Sequence, residues 1–315
     1  MEYLAKLEGA VLSFGVIEQH VDCICGKKLL KIEKESGKVI YEKKVFEKEG
    51  LARILISDNN QIFISDFCTL YVLNHDKYEL LGKWQIGVDL SSDICGMAVD
   101  ENTIYCSIRN GKLVTVDRSS FERKEYFISN SSMWSLKLYE KNLLCGTVDG
   151  QLLLVNRETM TIERNLNLGK QNIRSLYVDI AMGLIKGDLY HINTSIENIV
   201  KDLDGKILYA ASQDKKLYKI NLLDYEIVDV IRNVHNKMFD CAGVYDDIVV
   251  TVSYPCSKVA LWNKDTLKKI GEIQIPLKLS GCTCIDGKIL YISSRNISGI
   301  GLICLNNMSN LIDNI

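Results

Sequence analysis

Apolar and polar positions along this chain fall into short runs of strand length, and one stretch shows a complete unit. Residues 133–169 contain apolar-rich runs at 134–139, 143–148, 151–155 and 161–168, separated by Glu140-Lys141-Asn142, Asp149-Gly150 and residues 157–160. Each gap has turn composition, so the stretch predicts four strands in a meander. Asp149-Gly150 between two β-rich runs predicts a tight hairpin of type I′, in which both central residues take positive φ. The fourth run sets Ile162, Leu166 and Leu168 among charged neighbours, the pattern of an outer strand with one wet face.

A four-stranded meander of about 40 residues cannot bury both faces of its own sheet, so copies must cover it. Copies are present. The third run, an apolar alternation closing on Asn, Asp or Glu, recurs with closing residues at 33, 74, 117, 156, 193, 221, 263 and 306. Candidate first strands precede these at 11–17, 51–56, 94–99, 134–139, 174–178, 198–203, 239–244 and 279–284. The unit spanning 173–195 is short: Asn193-Thr194-Ser195 runs directly into the next first strand, so its fourth strand is missing. The last unit stops after its third strand, while residues 2–7, EYLAKL, resemble the fourth strands at 78–86, 161–168 and 268–275. A terminal strand supplied by the N-terminus would remove the exposed edges of an open array. The expected fold is therefore all-β: a closed β-propeller of about eight four-stranded blades, the fifth short, sealed by the N-terminal strand. Seven blades is the alternative, with the short unit absorbed into a neighbour.

On these segments the chain resembles the WD-repeat and quinoprotein-like propeller superfamily. Leu261-Trp262-Asn263 stands where the Trp-Asp pair of a WD repeat would fall, although the Gly-His pair of that signature is absent. Asp149-Gly150-Gln151-Leu152 and residues 31–38, KIEKESGK, are similar to quinoprotein-type repeats. The resemblance implies a fold. It implies no quinone, which would need a stacking Trp and a metal site, in a chain whose tryptophans are Trp84, Trp134 and Trp262.

Composition narrows the rest. With 315 residues, 47% hydrophobic content and 25% charge the chain can bury a large core, and 2 prolines with no linker-like stretch predict one domain over 1–315. A net charge of −2 supplies no field for a polyanion, and the lysines of 27–48 alternate with Glu33, Glu35, Glu42 and Glu47, so nucleic acid is not an expected partner. No secretory signal is visible, and no run reaches the roughly 18 apolar residues of a membrane span. Eleven cysteines then point to a reducing cytoplasm.

Catalytic chemistry has no visible signature. The four histidines are His20, His75, His191 and His235; His75 falls in a turn and His191 in a third strand, and both read as satisfied structural residues. No nucleophile elbow, phosphate-cradling glycine loop or paired-carboxylate motif occurs, so no catalytic residue, cofactor or metal is expected. Cys23-Ile24-Cys25 and Cys282-Thr283-Cys284 place thiols two apart on one strand face. With Cys95 and Cys241 they could line the channel of a ligand or metal sensor. Without CxxC spacing, buried thiols are the plainer reading.

The expected function is a non-enzymatic protein-interaction scaffold that uses one loop face. Arg109, Trp134, Arg174, Tyr254 and Arg295 are its candidate partner-binding residues, with Phe67, Met133 and Phe239 nearby, because Trp, Tyr and Arg dominate interface hot spots. The alternatives are a propeller hydrolase or lyase with a polar site at the channel mouth, and the cysteine sensor. The short fifth unit adds one more expectation, an unpaired third-strand edge after Ser195 that could accept a strand from a partner.

Overall fold

A computed structural model describes residues 2–7, 10–47, 52–58, 60–87, 92–170, 173–179, 191–192, 207–237, 239–276, 279–294 and 299–305. The strands form seven sheets. Blade 1 runs from Val11–Val16 to Val39–Lys44, blade 2 from Ala52–Ser57 to Leu80–Gln85, and blade 3 from Ile94–Val99 to Arg123–Phe127. Blade 4 runs from Met133–Tyr139 to Ile162–Asn167, blade 5 from Ile173–Asp179 to Glu226–Ile231, and blade 6 from Asp240–Tyr245 to Lys269–Gln274. Blade 7 consists of Leu279–Asp286, Ile289–Ser294 and Gly299–Cys304, with Glu2–Lys6 as its outer strand.

The chain is therefore a seven-bladed β-propeller, and the expectation of eight blades is corrected. Ile173–Asp179 pairs with Ile207–Ser212, so the two units read separately at 173–195 and 198–221 form one blade, with residues 180–206 between its first and second strands. In the described part of that stretch, His191–Ile192 pairs with the inner strand of blade 2, not with a blade of its own. The candidate first strand at 198–203 lies outside the described residues. The docking edge expected after Ser195 lies outside the described residues; the third strand of blade 5, Leu217–Asn221, is covered by Glu226–Ile231.

Why the repeat closes on Asn or Asp is visible in the turns between third and fourth strands. Asn74, Asp117, Asn156 and Asn263 each accept two backbone N–H bonds on the side-chain oxygen, at 2.7–3.1 Å, from the residues two and three positions on. This local capping holds the chain in a turn. Four residues after each cap the backbone takes positive φ, at Gly37, Tyr78, Phe121, Met160, Tyr225 and Leu267. Tyr78, Tyr225 and Leu267 use that position to enter the core.

Hairpins between second and third strands differ from the expected type I′. Gly150 has φ 87° whereas Asp149 does not take positive φ, and Gly150 N bonds Thr147 O at 3.3 Å. This is a three-residue loop, a type I turn followed by one left-handed residue. Gly111 repeats it at φ 81°, where an added Cβ would lie 1.8 Å from Ser129 O.

Apolar clusters join each blade to the next. One spans blades 1 and 2, another blades 2 to 4, and others blades 4 and 5, 5 and 6, and 6 and 7. The last joins blade 7 to blade 1 through Leu4, Phe14, Cys23, Cys282, Tyr291 and Ile300. Between blades 5 and 6, buried His235 faces Thr251 Oγ1 at 3.0 Å, and Trp262 Nε1 donates to that same oxygen at 2.9 Å. Burial lowers His235 to about 4. The unfolded ring binds a proton below about 6.5 and the folded ring does not, so stability present at neutral pH should fall as pH drops from 6.5 toward 4. The expected loss at pH 5 is about 2 kcal/mol. Urea unfolding at pH 7 and pH 5 checks this: His235→Gln should flatten the dependence, and equal slopes for variant and parent would refute the assignment.

Candidate functional site

A meander places the second-to-third hairpins and the between-blade loops on one face of the ring, and the remaining turns on the other. The first face carries the predicted binding residues. Arg109 lies in the hairpin of blade 3 and Trp134 in the first strand of blade 4. The guanidinium sits 5.5 Å from the Trp134 ring centroid, within cation–π range. Its Nη2 donates to Asp93 Oδ2 at 2.9 Å, and Asp93 is buried at 1% exposure while the Arg109 side chain is 39% exposed. Arg109 N also bonds Asp93 O at 2.9 Å, and Ser132 Oγ donates to Arg109 O. A buried carboxylate thus holds an exposed cation beside an aromatic ring. Among the described residues Arg109 Nε finds no acceptor.

Trp134 owes its placement to a bulge. Met133 pairs with Thr147 and Ser135 with Gly146, leaving Trp134 as the extra residue. A bulge of this kind re-aims a side chain and often lies beside a functional site. The same irregularity occurs at Leu12, Cys95, Arg174 and Ala242. Arg174 therefore shares the backbone position of Trp134 one blade on, though its side chain lies outside the described residues, as does Arg295 entirely. Tyr254 stands apart from the Arg109–Trp134 pair, in the hairpin of blade 6. Burial, with Asp240 beside it, raises its phenol well above the ordinary range. Met133 and Phe239 are fully buried core residues, so their place is packing.

Of the predicted channel cysteines, Cys23, Cys25, Cys241, Cys282 and Cys284 are buried thiols and Cys95 is half-buried. Cys241, Cys282 and Cys284 are at most 6% exposed, and burial pushes Cys282 up to about 12 and Cys23 well above its usual value. Lys137 lies on the innermost strand of blade 4, buried, with Cys284 and Cys241 in electrostatic range, and burial lowers its amine to about 8.

The opposite face carries a repeating inter-blade contact. At four seams the residue after the closing position of the repeat reaches back to the preceding blade. Arg118 pairs with Asp58 at 2.6 Å, Arg157 with Asp100, and Lys34 of blade 1 with Asp286 of blade 7 at 2.5 Å. At the blade 1–blade 2 seam that position is His75. Its Nε2 lies 2.9 Å from Asp22 Oδ2 and 3.0 Å from His20 Nε2, while Tyr78 donates to Asp22 Oδ1 at 2.5 Å. Asp22 is completely buried. His20 and Asp22 stand two apart on one strand, but no local spacing announces their meeting with His75, which lies 53 and 55 residues further along the chain. The available signal was positional: a histidine stands where neighbouring repeats carry Lys34, Arg118 and Arg157.

Comparisons with known proteins extend to the fold. No family model and no curated protein sequence matches the chain. Among solved structures, the computationally designed Ika8 protein superposes with a TM-score of 0.68 at 12% identity, covering 96% of this chain and 99% of its own. Chaetomium thermophilum Raptor superposes with a TM-score of 0.73 at 11% identity, over 96% of this chain. The match spans 28% of the Raptor chain. Both likenesses concern the propeller alone. Among the described residues no helix is long and apolar enough to cross a membrane.

Proposed function

We propose that the chain is a non-enzymatic protein-interaction platform whose binding face is the one carrying Arg109 and Trp134. The observation that supports this is the preorganised pair itself. Asp93 and Trp134 fix the Arg109 guanidinium in an exposed position before any partner arrives, which lowers the ordering cost of binding. Arg and Trp are also the residue types whose truncation costs most at interfaces. Arg174, on the equivalent bulge of the next blade, and Tyr254, on a hairpin of the same face, extend the proposed surface, and Arg295, outside the described residues, is proposed with them from its place in the sequence. A WD-repeat-type interaction module in the cytoplasm fits eleven cysteines that are all free, and no nucleic-acid or membrane partner is proposed.

The test is capture of partners from native lysate by the intact chain and by an Arg109→Ala, Trp134→Ala variant of verified fold, with Lys141→Ala on the opposite face as control. The double variant should lose its main partner, with affinity weakened on the order of 30-fold or more, and the control should retain it. Equal capture by all three would remove this face from the function.

A further inference from the structure

The ionic contacts that recur between blades join one cation to one carboxylate: Arg118 to Asp58, Arg157 to Asp100, Lys34 to Asp286. The seam between blades 1 and 2 breaks the pattern. There the cation is replaced by His75 and a second imidazole, His20, is added, so that two ring nitrogens and a carboxylate oxygen converge. The three separations are 3.0 Å between the Nε2 atoms, 2.9 Å from His75 Nε2 to Asp22 Oδ2, and 3.8 Å from His20 Nε2 to Asp22 Oδ2.

Hydrogen bonding meets this triangle only through a bent three-centre bond, one hydrogen on His75 Nε2 shared between Asp22 Oδ2 and His20 Nε2. A hydrogen on His75 Nε2 can serve Asp22, after which that nitrogen has no lone pair to offer His20. Placed on His20 Nε2 instead, the hydrogen leaves the His75 lone pair facing the carboxylate. One ion that accepts all three lone pairs needs no shared hydrogen.

The dimensions fit such an ion. A triangle with sides of 3.0, 2.9 and 3.8 Å has a circumradius of about 1.9 Å, so a point about 2.0–2.1 Å from every ligand atom exists just off its plane, the bond length of zinc to nitrogen and oxygen. Two imidazoles bound at that distance, with their nitrogens 3.0 Å apart, would set their ring centroids about 4.7 Å apart, and the observed separation is 4.9 Å. The supporting groups are also in place. Tyr78 donates to Asp22 Oδ1 and so turns Oδ2 toward the imidazoles, and Lys31 Nζ holds the His75 carbonyl at 3.0 Å. Such outer partners orient metal ligands. Asp22 and His75 form the buried wall, and His20, with 18% of its side chain exposed, forms the outer one.

We propose that His20, Asp22 and His75 form a binding site for one divalent transition-metal ion, zinc by ligand preference, which clamps blade 1 to blade 2. This site is separate from the Arg109–Trp134 face and independent of its role. The experiment uses the full chain without a histidine tag, stripped of metal and titrated with cobalt(II), followed by its visible absorption. The parent should take up one equivalent with the intense bands of low-coordinate cobalt, and His20→Gln, altered at the most exposed ligand, should take up less than about a tenth of that. Zinc should raise the melting temperature of the parent and leave the variant unmoved. Absence of cobalt uptake and of a zinc shift in the parent, or the same titration and shift in both proteins, would overturn the proposal.

Discussion

Removal of residues 1–7 is expected to cost roughly 3–5 kcal/mol of stability and to make the chain self-associate. Glu2–Lys6 is the outer strand of blade 7, paired with Gly299–Cys304 in the register Glu2↔Leu302 and Lys6↔Gly299. Leu4 and Ala5 are each only 7% exposed and belong to the cluster joining the last blade to the first. Burial of one leucine side chain is worth about 1.5–3 kcal/mol, and the backbone bonds of a strand add to it. The strand also locks against blade 1: a Cβ on Gly37 would lie 1.8 Å from Leu4 O, so only glycine lets that turn approach. Truncation bares both this apolar surface and the row of backbone groups on Gly299–Cys304, an open template for pairing. Urea unfolding and size-exclusion chromatography report the two effects. A point variant, Leu4→Asp, should destabilise in the same direction without shortening the chain; a truncated protein with no added self-association and an unchanged midpoint would refute the terminal strand's role.

The second large effect is expected at Arg118. Its Nη2 pairs with Asp58 at 2.6 Å, Nη1 donates to Asp100 O at 2.8 Å, and Nε donates to Gln61 Oε1 at 3.0 Å. The guanidinium also lies 4.9 Å from the Phe63 ring centroid. Side-chain exposures of 10% and 7% put the Arg118–Asp58 pair among buried ion pairs. Removing one partner of such a pair leaves a buried charge and costs about 3–5 kcal/mol. Asp58 keeps the backbone N–H bonds of Asn60 and Gln61, which places Arg118→Ala near the lower end. Arg118→Lys should recover little, because an ammonium lacks the planar fork that meets three acceptors at once. The comparison is Lys34→Ala, whose pair with Asp286 is 16% and 21% exposed and is made by a single ammonium; its loss should be clearly smaller. Denaturant midpoints measure all three, and an Arg118→Ala protein within about 1 kcal/mol of the parent would contradict this account of the seams.

Strands were legible in the sequence because each one carries its own local signal. Ile94–Val99 and Leu217–Asn221 coincide with the runs read from periodicity, and most other strands differ by one residue at an end. Caps such as Asn74 and Asp117 were visible as well, since an Asx turn is written in residues two and three positions apart. Blade number was not legible. Residues 189–193 show the same alternation closing on Asn as a true third strand, and periodicity cannot distinguish a repeat from chain inserted between two strands that pair across it. The 28-residue interval between the closing residues Asn193 and Asn221 was the available warning.

Sites assembled across blades were harder still. Arg109 and Trp134 were chosen singly, as hot-spot residue types on predicted loops. Their contact, and the hold of Asp93 on Arg109, are products of the ring, and Asp93 itself carried no motif. His20, Asp22 and His75 meet only because blade 2 reaches back to blade 1, a relation that sequence spacing does not encode. Lys137 likewise gains its lowered basicity from burial in the channel, which residue type does not reveal.

The central claim is that the Arg109–Trp134 face is where partners bind. Hydrogen–deuterium exchange of the chain, free and with its captured partner, tests it most directly. Slowed exchange confined to the loops at 109–111 and 128–134, with the turns at 118–122 and 157–161 unchanged, is the result this account predicts. Protection confined to those opposite turns would contradict it.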